Sequence, residues 1–516
     1  MIHINKYKYG MAILAFLVFL SSCSKQLETA PRQSIDANGA LGSRDAIEAS
    51  ITSVYASLKN QYGRDLIALP EALADNGFAT NKSGRLIGEA QNILGSHFTT
   101  TLWTVNYAAI NQINNTIAAI AAGGLSPVMT PAESDRWLGQ LYFLRGLYYF
   151  DLARVYGYIP GAIVSTQDRG CVPLSIKGIG SSSDALAFKP SRATSTDVYA
   201  QIIADLTAAE SRLTFPGLGT SLANKAAAQG LLARVNLYTK DYTNAKKWSD
   251  AVILLAGNRL TNTGNYVSQW RASTHAETLF QVAYNTQAEN IGVNTSLQTS
   301  FTTLVTPGNQ AQTGGFGDLV PTISLLNDLG ITLIGGNTTG VFSINHIVAT
   351  RNTDVRNLLF EPGTAGRGPI KVECTKYLGK NGNINLDNAV VMRIAEAYLI
   401  RSEIQATAGA STLDLTNALA DLKAIKRARY TDYTGSAQEM ADNTMTQAAL
   451  FEEIIRQRRI EFAFEGSRFF DLKRLGRDLI KSPHYNNVAF TDGRILPALP
   501  QGEVDGNPNL KQNFGY

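Results

Sequence analysis

The 516-residue sequence predicts a mostly α-helical fold in which paired helices carry an irregular, loop-rich face with a few short strands. Three observations lead there. Apolar residues recur at helical steps of three and four along most strongly patterned segments. Several of these segments come as two helices around a short turn. Between about 257 and 388 the period fades, Gly, Asn and Thr take over, and only brief β-like runs such as Thr278–Tyr284 remain.

The chain opens with Lys6 and Lys8, an apolar run from Met11 to Leu20, and then Leu20-Ser21-Ser22-Cys23. A basic start, about ten apolar residues and small residues before a cut describe a secretory signal, too short to span a bilayer. The cysteine behind the small residues resembles a bacterial lipobox. It predicts a signal peptide over 1–22, cleavage before Cys23 and acylation of its thiol. Acyl chains contribute roughly 0.8 kcal/mol per buried CH₂, which anchors a soluble domain to a membrane. The polar residues 23–44 read as a tether, and 45–516 as a single domain. Losing Lys6 and Lys8 takes the formal charge from +4 to +2, nearly neutral for this length, so no nucleic-acid partner is expected.

Helices are expected over 45–59, 102–121, 132–156, Thr196 to Arg212, 222–239, 243–256, 389–408, 413–429 and 447–475. Ile110, Ile113, Ile117 and Ile120 form one stripe of the second. Pro131 marks the start of the third, and a Ser/Thr/Asp cluster can cap the fourth. Within 225–252 two helices flank Lys240-Asp241-Tyr242, and Ala233 and Ala245 are small enough for a close crossing. That pair resembles a tetratricopeptide unit. The pairs 389–408 with 413–429 and 102–121 with 132–156 are looser versions. No strict 34-residue period connects them, so the expectation is divergent hairpins around one core. The segments 61–101, 157–195, 285–316 and 330–371 read as long loops, and loops of that length in a compact domain tend to carry function.

Few residues point to catalysis. The sequence has no HExxH, Walker loop, GxSxG or EF-hand loop, and none of its five histidines has ligand spacing to a cysteine. Neither a metal nor a cofactor is expected. His97, His275 and His346 read as structural. Cys171 and Cys374 are free to pair in an exported protein, but spacing does not show that they meet. The stretch "RRIEFAFEGSRFFDLKRLGR" (458–477) holds the most chemistry. On one helix Arg458, Glu461, Glu465 and Arg468 would be neighbours, a charge ladder that lowers the carboxylate pKa values. A glycosidase acid needs the opposite shift, so the stretch reads as architecture. Arg145 with Asp151, Arg393 with Glu396, and Arg401 with Glu403 read as pairing or capping groups.

Five stretches together resemble the SusD/RagB family of Bacteroidetes outer-membrane lipoproteins. They are "LYFLRGLYYFDLARVYGYIP" (141–160), "ETLFQVAYN" (277–285), "VVMRIAEAYLIRSEI" (390–404), 458–477, and the ending "LPALPQGEVDGNPNLKQNFGY" (496–516). They follow in the family's order behind a lipobox. Ser467 and Phe470 depart from the His and Trp more often found there. The resemblance implies a SusD-like fold: tetratricopeptide-like hairpins on one side, a ligand-bearing irregular face on the other. The N-terminal part would span about 45–215 and the C-terminal part about 275–516. It also implies a non-enzymatic, outward-facing lipoprotein of the outer membrane. Such a protein takes oligosaccharides, or sometimes peptides, to a SusC-like TonB-dependent transporter. Two other classes remain open on the residues alone: a lipid-anchored glycoside hydrolase or lyase, and a tetratricopeptide-type envelope scaffold.

A sugar site wants aromatic faces beside hydrogen-bonding groups. Of the four tryptophans, Trp137 and Trp248 read as core. Trp103 opens a helix, with Asn106 a turn further on the same face, and the two form the leading candidate platform. Trp270, Tyr284, Phe316 and Phe78 lie in or beside irregular stretches and would extend the surface.

Overall fold

The computed structural model describes residues 41–98, 100–123, 129–214, 219–289, 291–380 and 383–516. The expected signal, Cys23 and most of the tether lie outside the described residues. Helices of seven residues or more are α1 (Arg44–Ser57), α2 (Asp65–Leu73), α3 (Thr100–Ala121), α4 (Pro131–Tyr156) and α5 (Ser195–Arg212), followed by α6 (Lys225–Tyr238), α7 (Tyr242–Ala256), α8 (Ile394–Ala406), α9 (Leu415–Arg429), α10 (Gln447–Glu461) and α11 (Arg468–Arg474). Four two-stranded antiparallel sheets pair β1 (Gly77–Ala79) with β3 (Leu319–Pro321), β2 (Thr278–Val282) with β8 (Ala389–Arg393), β4 (Ile331–Leu333) with β5 (Val348–Arg351), and β6 (Phe360–Pro362) with β7 (Val372–Cys374). The fold is mostly α with small sheets.

Each helix of the array packs on the next: α1 on α3, then α4, α5, α6, α7, α8 and α9. Local signals set the boundaries. Thr130 and Glu133 form a reciprocal capping box around Pro131 at the start of α4. Thr194 caps α5, Asn224 α6, and Asp241 α7, each accepting a backbone N–H two or three residues on. The tetratricopeptide-like crossing is as expected: Ala233 and Ala245 are both fully buried. Helix α4 is the central beam, buried throughout 143–156. Trp137 and Trp248 are in the core, and Cys171 and Cys374 are separate buried thiols.

Three segments differ from the periodicity reading. Helix α2 sits inside 61–101, which reads as loop. Residues 66–73 are buried on every side, so the helix has no polar face to set a period. Conversely, 389–393 is not the first turn of a helix. "AVVMR" is buried at all five positions and pairs with β2. Gly230 of α6 allows this, since a Cβ there would lie 2.6 Å from Met392 Sδ. Finally, 447–475 is two helices. The chain reverses at 462–467 through Phe464 at φ +63° and Gly466 at φ +81°. A side chain at Gly466 would meet the Leu66 carbonyl at 2.3 Å. Glu71 of α2 accepts from the Gly466 N–H at 2.8 Å and so pins the reversal.

The reversal dissolves the expected ladder and replaces it with a buried network. Glu461 Oε1 accepts from Arg393 Nη1 at 2.6 Å and Arg429 Nη2 at 2.8 Å, and its Oε2 from Arg356 Nη1 at 3.0 Å. Glu277, just before β2, accepts from Arg429 at 2.7 Å and Arg393 at 2.9 Å. Glu465 takes Arg393 Nε at 2.9 Å and Lys376 Nζ at 2.6 Å. Arg458 and Arg468 turn instead to Asp471 (3.2 Å) and Asp75 (2.7 Å). Burial alone would push the Glu461 carboxyl up, but Arg429, Arg393 and Arg356 together hold it well below the ordinary carboxylate range. The other expected pairs also exchange partners: Arg145 binds Asp205, Asp151 binds Arg154, Arg234 binds Glu396, Arg401 binds Asp421, and Arg474 binds Glu403. Each joins two packed elements except the local Asp151–Arg154 pair.

Replacing Glu461 by Gln leaves three buried guanidinium groups short of a counter-charge, and a broken buried pair costs about 3–5 kcal/mol. We expect Glu461→Gln to lower stability by that order in chemical denaturation at neutral pH. The depressed pKa makes the stabilisation complete above the unfolded value of roughly 4.3 and lost as pH falls through the folded one. The gap between wild type and variant therefore narrows in acid. A pH-independent gap contradicts the assignment.

Candidate functional site

Four loops meet on the irregular face, held there by the small sheets. Pairing of β1 with β3 continues into the loops, where the Thr80 N–H donates to the Asp318 carbonyl at 2.8 Å and Thr80 Oγ1 to the Gly317 carbonyl at 2.7 Å. This sets the 80–86 loop against the turn carrying Phe316. The β6–β7 hairpin brings Arg367 at its tip, and the Thr313 and Thr364 hydroxyls bond at 2.6 Å. Glu373 of β7 ties these parts together. It accepts from the Thr303 N–H at 2.6 Å, Thr303 Oγ1 at 2.7 Å and Lys82 Nζ at 3.1 Å. The Phe316 turn lies so close to it that a side chain at Gly317 (φ +62°) would sit 2.7 Å from Glu373 Oε1.

Phe316 itself is half-buried. The Arg367 guanidinium stacks 3.9 Å from its ring centroid and Arg85 lies 5.1 Å away, both within cation–π range. Arg85 Nη2 reaches Asn294 at 3.3 Å, and its Nη1 stands 3.9 Å from Asp318 Oδ2. Asp318 Oδ1 accepts from the Ser83 hydroxyl. Burial pushes the Asp318 carboxyl above its ordinary value, against that hydrogen bond. Arg85 Nη1, Arg367 Nε and Asp318 Oδ2 are all buried atoms without a hydrogen-bond partner among the described residues. Arg85 Nη1 and Asp318 Oδ2 face each other as a loose ion pair, whereas Arg367, half-exposed on the loop face, has neither a hydrogen bond nor an ion pair among the described residues.

The other sequence candidates are placed differently. Trp103 is 3 % exposed, 4.9 Å from the Tyr107 ring and edge-on to Tyr156 at 5.1 Å. It lines a cleft of about 460 Å³ with Tyr107 and Ile110, beneath the exposed Leu186 and Phe188 and beside Glu503. Three of the cleft's polar side chains are committed. Asn111 bonds both backbone groups of Ile179, Asn114 joins Arg145 to Ser175, and Tyr107 donates to the Pro173 carbonyl. Asn106 does not share this surface. It is fully buried on the far side of α3, between Gln61 and the Tyr148 carbonyl. Trp270 is 2 % exposed and packs on His275 and Tyr377. Tyr284 is equally buried, donating to the Lys59 carbonyl at 3.0 Å. Phe78 is half-buried among Phe342, His484 and Tyr485. The expectation that these aromatics form one exposed surface is therefore corrected: Trp103, Trp270 and Tyr284 went into the core with Asn106, Phe78 packs among other rings, and Phe316 remains half-buried on the loop face beneath an arginine that has no hydrogen-bond partner among the described residues.

Arg85 and Arg367 were not singled out from sequence. A signal was present: each follows a glycine in a loop, "SGR" and "AGR", with no carboxylate within three positions. The histidines are structural, as expected. His97, His275 and His346 accept backbone N–H groups through Nδ1, and His484 does so through Nε2. Burial lowers all four, to about 3 or 4, so each stays neutral and able to accept. No group of three metal-ligating side chains occurs among the described residues.

Two family models match. One, described as the SusD family, covers residues 371–516; the other, described as starch-binding associating with outer membrane, covers 27–237. SusD-like protein P2 of Formosa agariphila is 26% identical over 98% of this chain and 99% of its own. SusD-like protein P38 of the same organism is 22% identical over 98% of both. A SusD superfamily protein of Bacteroides thetaiotaomicron superposes with a TM-score of 0.74 at 23% identity, over 91% of this chain and 99% of the other. A laminarin binding SusD-like protein superposes with a TM-score of 0.64 at 18% identity, over 92% and 100%. Helical pairs and a loop face in this order, matched at both ends by SusD models and along nearly the full length by SusD-like relatives, make this chain a member of the SusD/RagB family.

Proposed function

We propose that this protein is a glycan-binding lipoprotein of the outer membrane, anchored through Cys23 and facing the cell exterior, that captures oligosaccharides and passes them to a SusC-like TonB-dependent transporter. One observation carries the binding site: the half-exposed Arg367 lies over the half-buried Phe316 ring, beside Arg85, with no hydrogen bond or ion pair of its own among the described residues. Guanidinium donors beside an aromatic ring suit a hydroxyl-rich ligand with weakly apolar faces. Family membership supports the outer-membrane association, since one matching model is described in those terms. The laminarin binding neighbour supports a carbohydrate rather than a peptide.

The reading as a binder, not a hydrolase, is supported by the state of the carboxylates that first suggest catalysis. Glu461 is enclosed by three arginines that keep it ionised, and Glu465 is shared by Arg393 and Lys376. Glu461, held ionised in this way, cannot serve as the protonated acid that glycoside cleavage requires. The elaborated loop face argues likewise against a bare tetratricopeptide scaffold.

Three measurements test this reading. On a glycan array, the purified mature lipoprotein should retain oligosaccharides, and Phe316→Ala should lose about tenfold in affinity, about 1.4 kcal/mol, with little change in thermal unfolding. Retention of full affinity would move the site elsewhere, first to the Trp103 cleft. Metabolic labelling with a palmitate analogue should mark wild type and not Cys23→Ala, and the variant should leave the membrane fraction; equal retention of both removes the anchor. Mild-detergent capture from native envelopes should recover a large β-barrel transporter, and repeated recovery of the protein alone counts against the partnership.

A further inference from the structure

We infer that the glycan held at the Phe316 site is anionic, and that Arg367 and Arg85 receive its oxyanion, a uronate carboxylate or a sulfate ester. The inference rests on the glycan-binding reading and adds the charge class of the ligand. It starts from how this protein treats enclosed arginines. Arg145, Arg154, Arg234, Arg393, Arg429, Arg356 and Arg474 each meet a carboxylate within 3.0 Å, and Arg192 and Arg351 are held by backbone carbonyls. Arg367 meets neither. Among the described residues its side chain makes no hydrogen bond or ion pair, and its one close contact is the Phe316 ring, 3.9 Å from the guanidinium carbon.

Arg85 is nearly as free. Its nearest carboxylate oxygen, on Asp318, is 3.9 Å from Nη1, beyond hydrogen-bond reach, and its one hydrogen bond is to the neutral Asn294 at 3.3 Å. Asp318 is 1 % exposed, so it cannot itself offer a carboxylate to the ligand. Lys82 is already balanced by Glu373, which is fully buried. Asp318 offsets Arg85 and Glu373 offsets Lys82, so the local balance is positive by the Arg367 guanidinium, which shares the Phe316 ring with Arg85.

The ring's role follows from the same geometry. With Arg367 lying over it, Phe316 is a pedestal that orients a planar guanidinium, and the stacked fork presents its N–H edge rather than a ring face. That edge matches the two oxygens of a carboxylate or sulfate. A neutral sugar would satisfy single donors with hydroxyls but would leave the Arg367 charge uncompensated in a partly enclosed site.

Matched oligosaccharides test this. Binding of the detergent-solubilised mature lipoprotein is measured by calorimetry for oligogalacturonate against its carboxyl-reduced neutral form, and for a sulfated galactan oligosaccharide against its desulfated form. We expect a preference of about tenfold or more for the charged member of one pair, in line with a charge-assisted hydrogen bond, and a loss of that preference in Arg367→Gln. The pair that shows it identifies carboxylate or sulfate. Affinity for the charged member should fall as salt rises. Arg367→Lys, which keeps the charge and loses the fork, should fall between wild type and Arg367→Gln. Thermal unfolding of each variant confirms a folded protein. Equal affinity within both pairs, or a glycan-array profile made of neutral sugars alone, overturns the anionic assignment while leaving glycan binding intact. No retention of any glycan by wild type overturns both.

Discussion

Everything on the loop face depends on one buried carboxylate. Glu461 ends α10 and accepts from guanidinium groups on β8, α9 and the 354–356 turn, while Glu277 before β2 shares two of them. Five parts of the chain are thereby held at one point. Such a cluster is costly to desolvate, and its Coulombic attraction offsets that cost only if every donor and acceptor is placed well. Its consequence is geometric. A misplaced element leaves a naked charge in the interior, so few alternative packings of the loop face against the helices are tolerated. Lys376, bonded to Glu465, continues the constraint to the residues just beyond β7, and the β6–β7 hairpin carries it outward to Arg367.

The site lies at the end of that chain of constraint. Glu373 repeats on a smaller scale what Glu461 does at the centre, gathering Thr302, Thr303 and Lys82 from separate loops onto one carboxylate. The loops are irregular in secondary structure, but their backbone groups are tied to side chains and to short ladders, which is how a surface without regular elements keeps a defined shape. Among these tied loops, Arg367 stands out as a guanidinium whose one close contact is the Phe316 ring. The Trp103 cleft shows the contrast. It has the volume of a ligand site, but its amides and hydroxyl are consumed in holding the 173–190 segment to α3.

Most helices were legible because their signals are local. The 3.6-residue period and side-chain caps operate within one turn, so Pro131, Thr194, Asn224 and Asp241 mark true starts. The misread segments are those where tertiary contacts outweigh the local signal. Helix α2 has no polar face because protein surrounds it, 389–393 becomes a strand because β2 lies beside it, and α10 stops at Glu461 because the following residues must pack under α2. The same logic misled the aromatic reading. Trp270 and Tyr284 lie in irregular sequence, but irregular backbone is not exposed backbone, and large apolar rings are buried wherever room exists.

The sequence by itself determined the helical pairs, their caps and the family, because periodicity, capping and motif order are written in neighbouring residues. It also placed Phe316 among the candidates. Only the tertiary structure decided which charges are spent and which are free. Arginine and glutamate look alike in sequence whether they meet inside the protein or wait at its surface. Their partners here come from elements distant along the chain, and no spacing rule encodes that meeting. The loops that bring Arg85 and Arg367 to one ring, with no carboxylate in bonding reach, exist as a site only after the two ladders have closed.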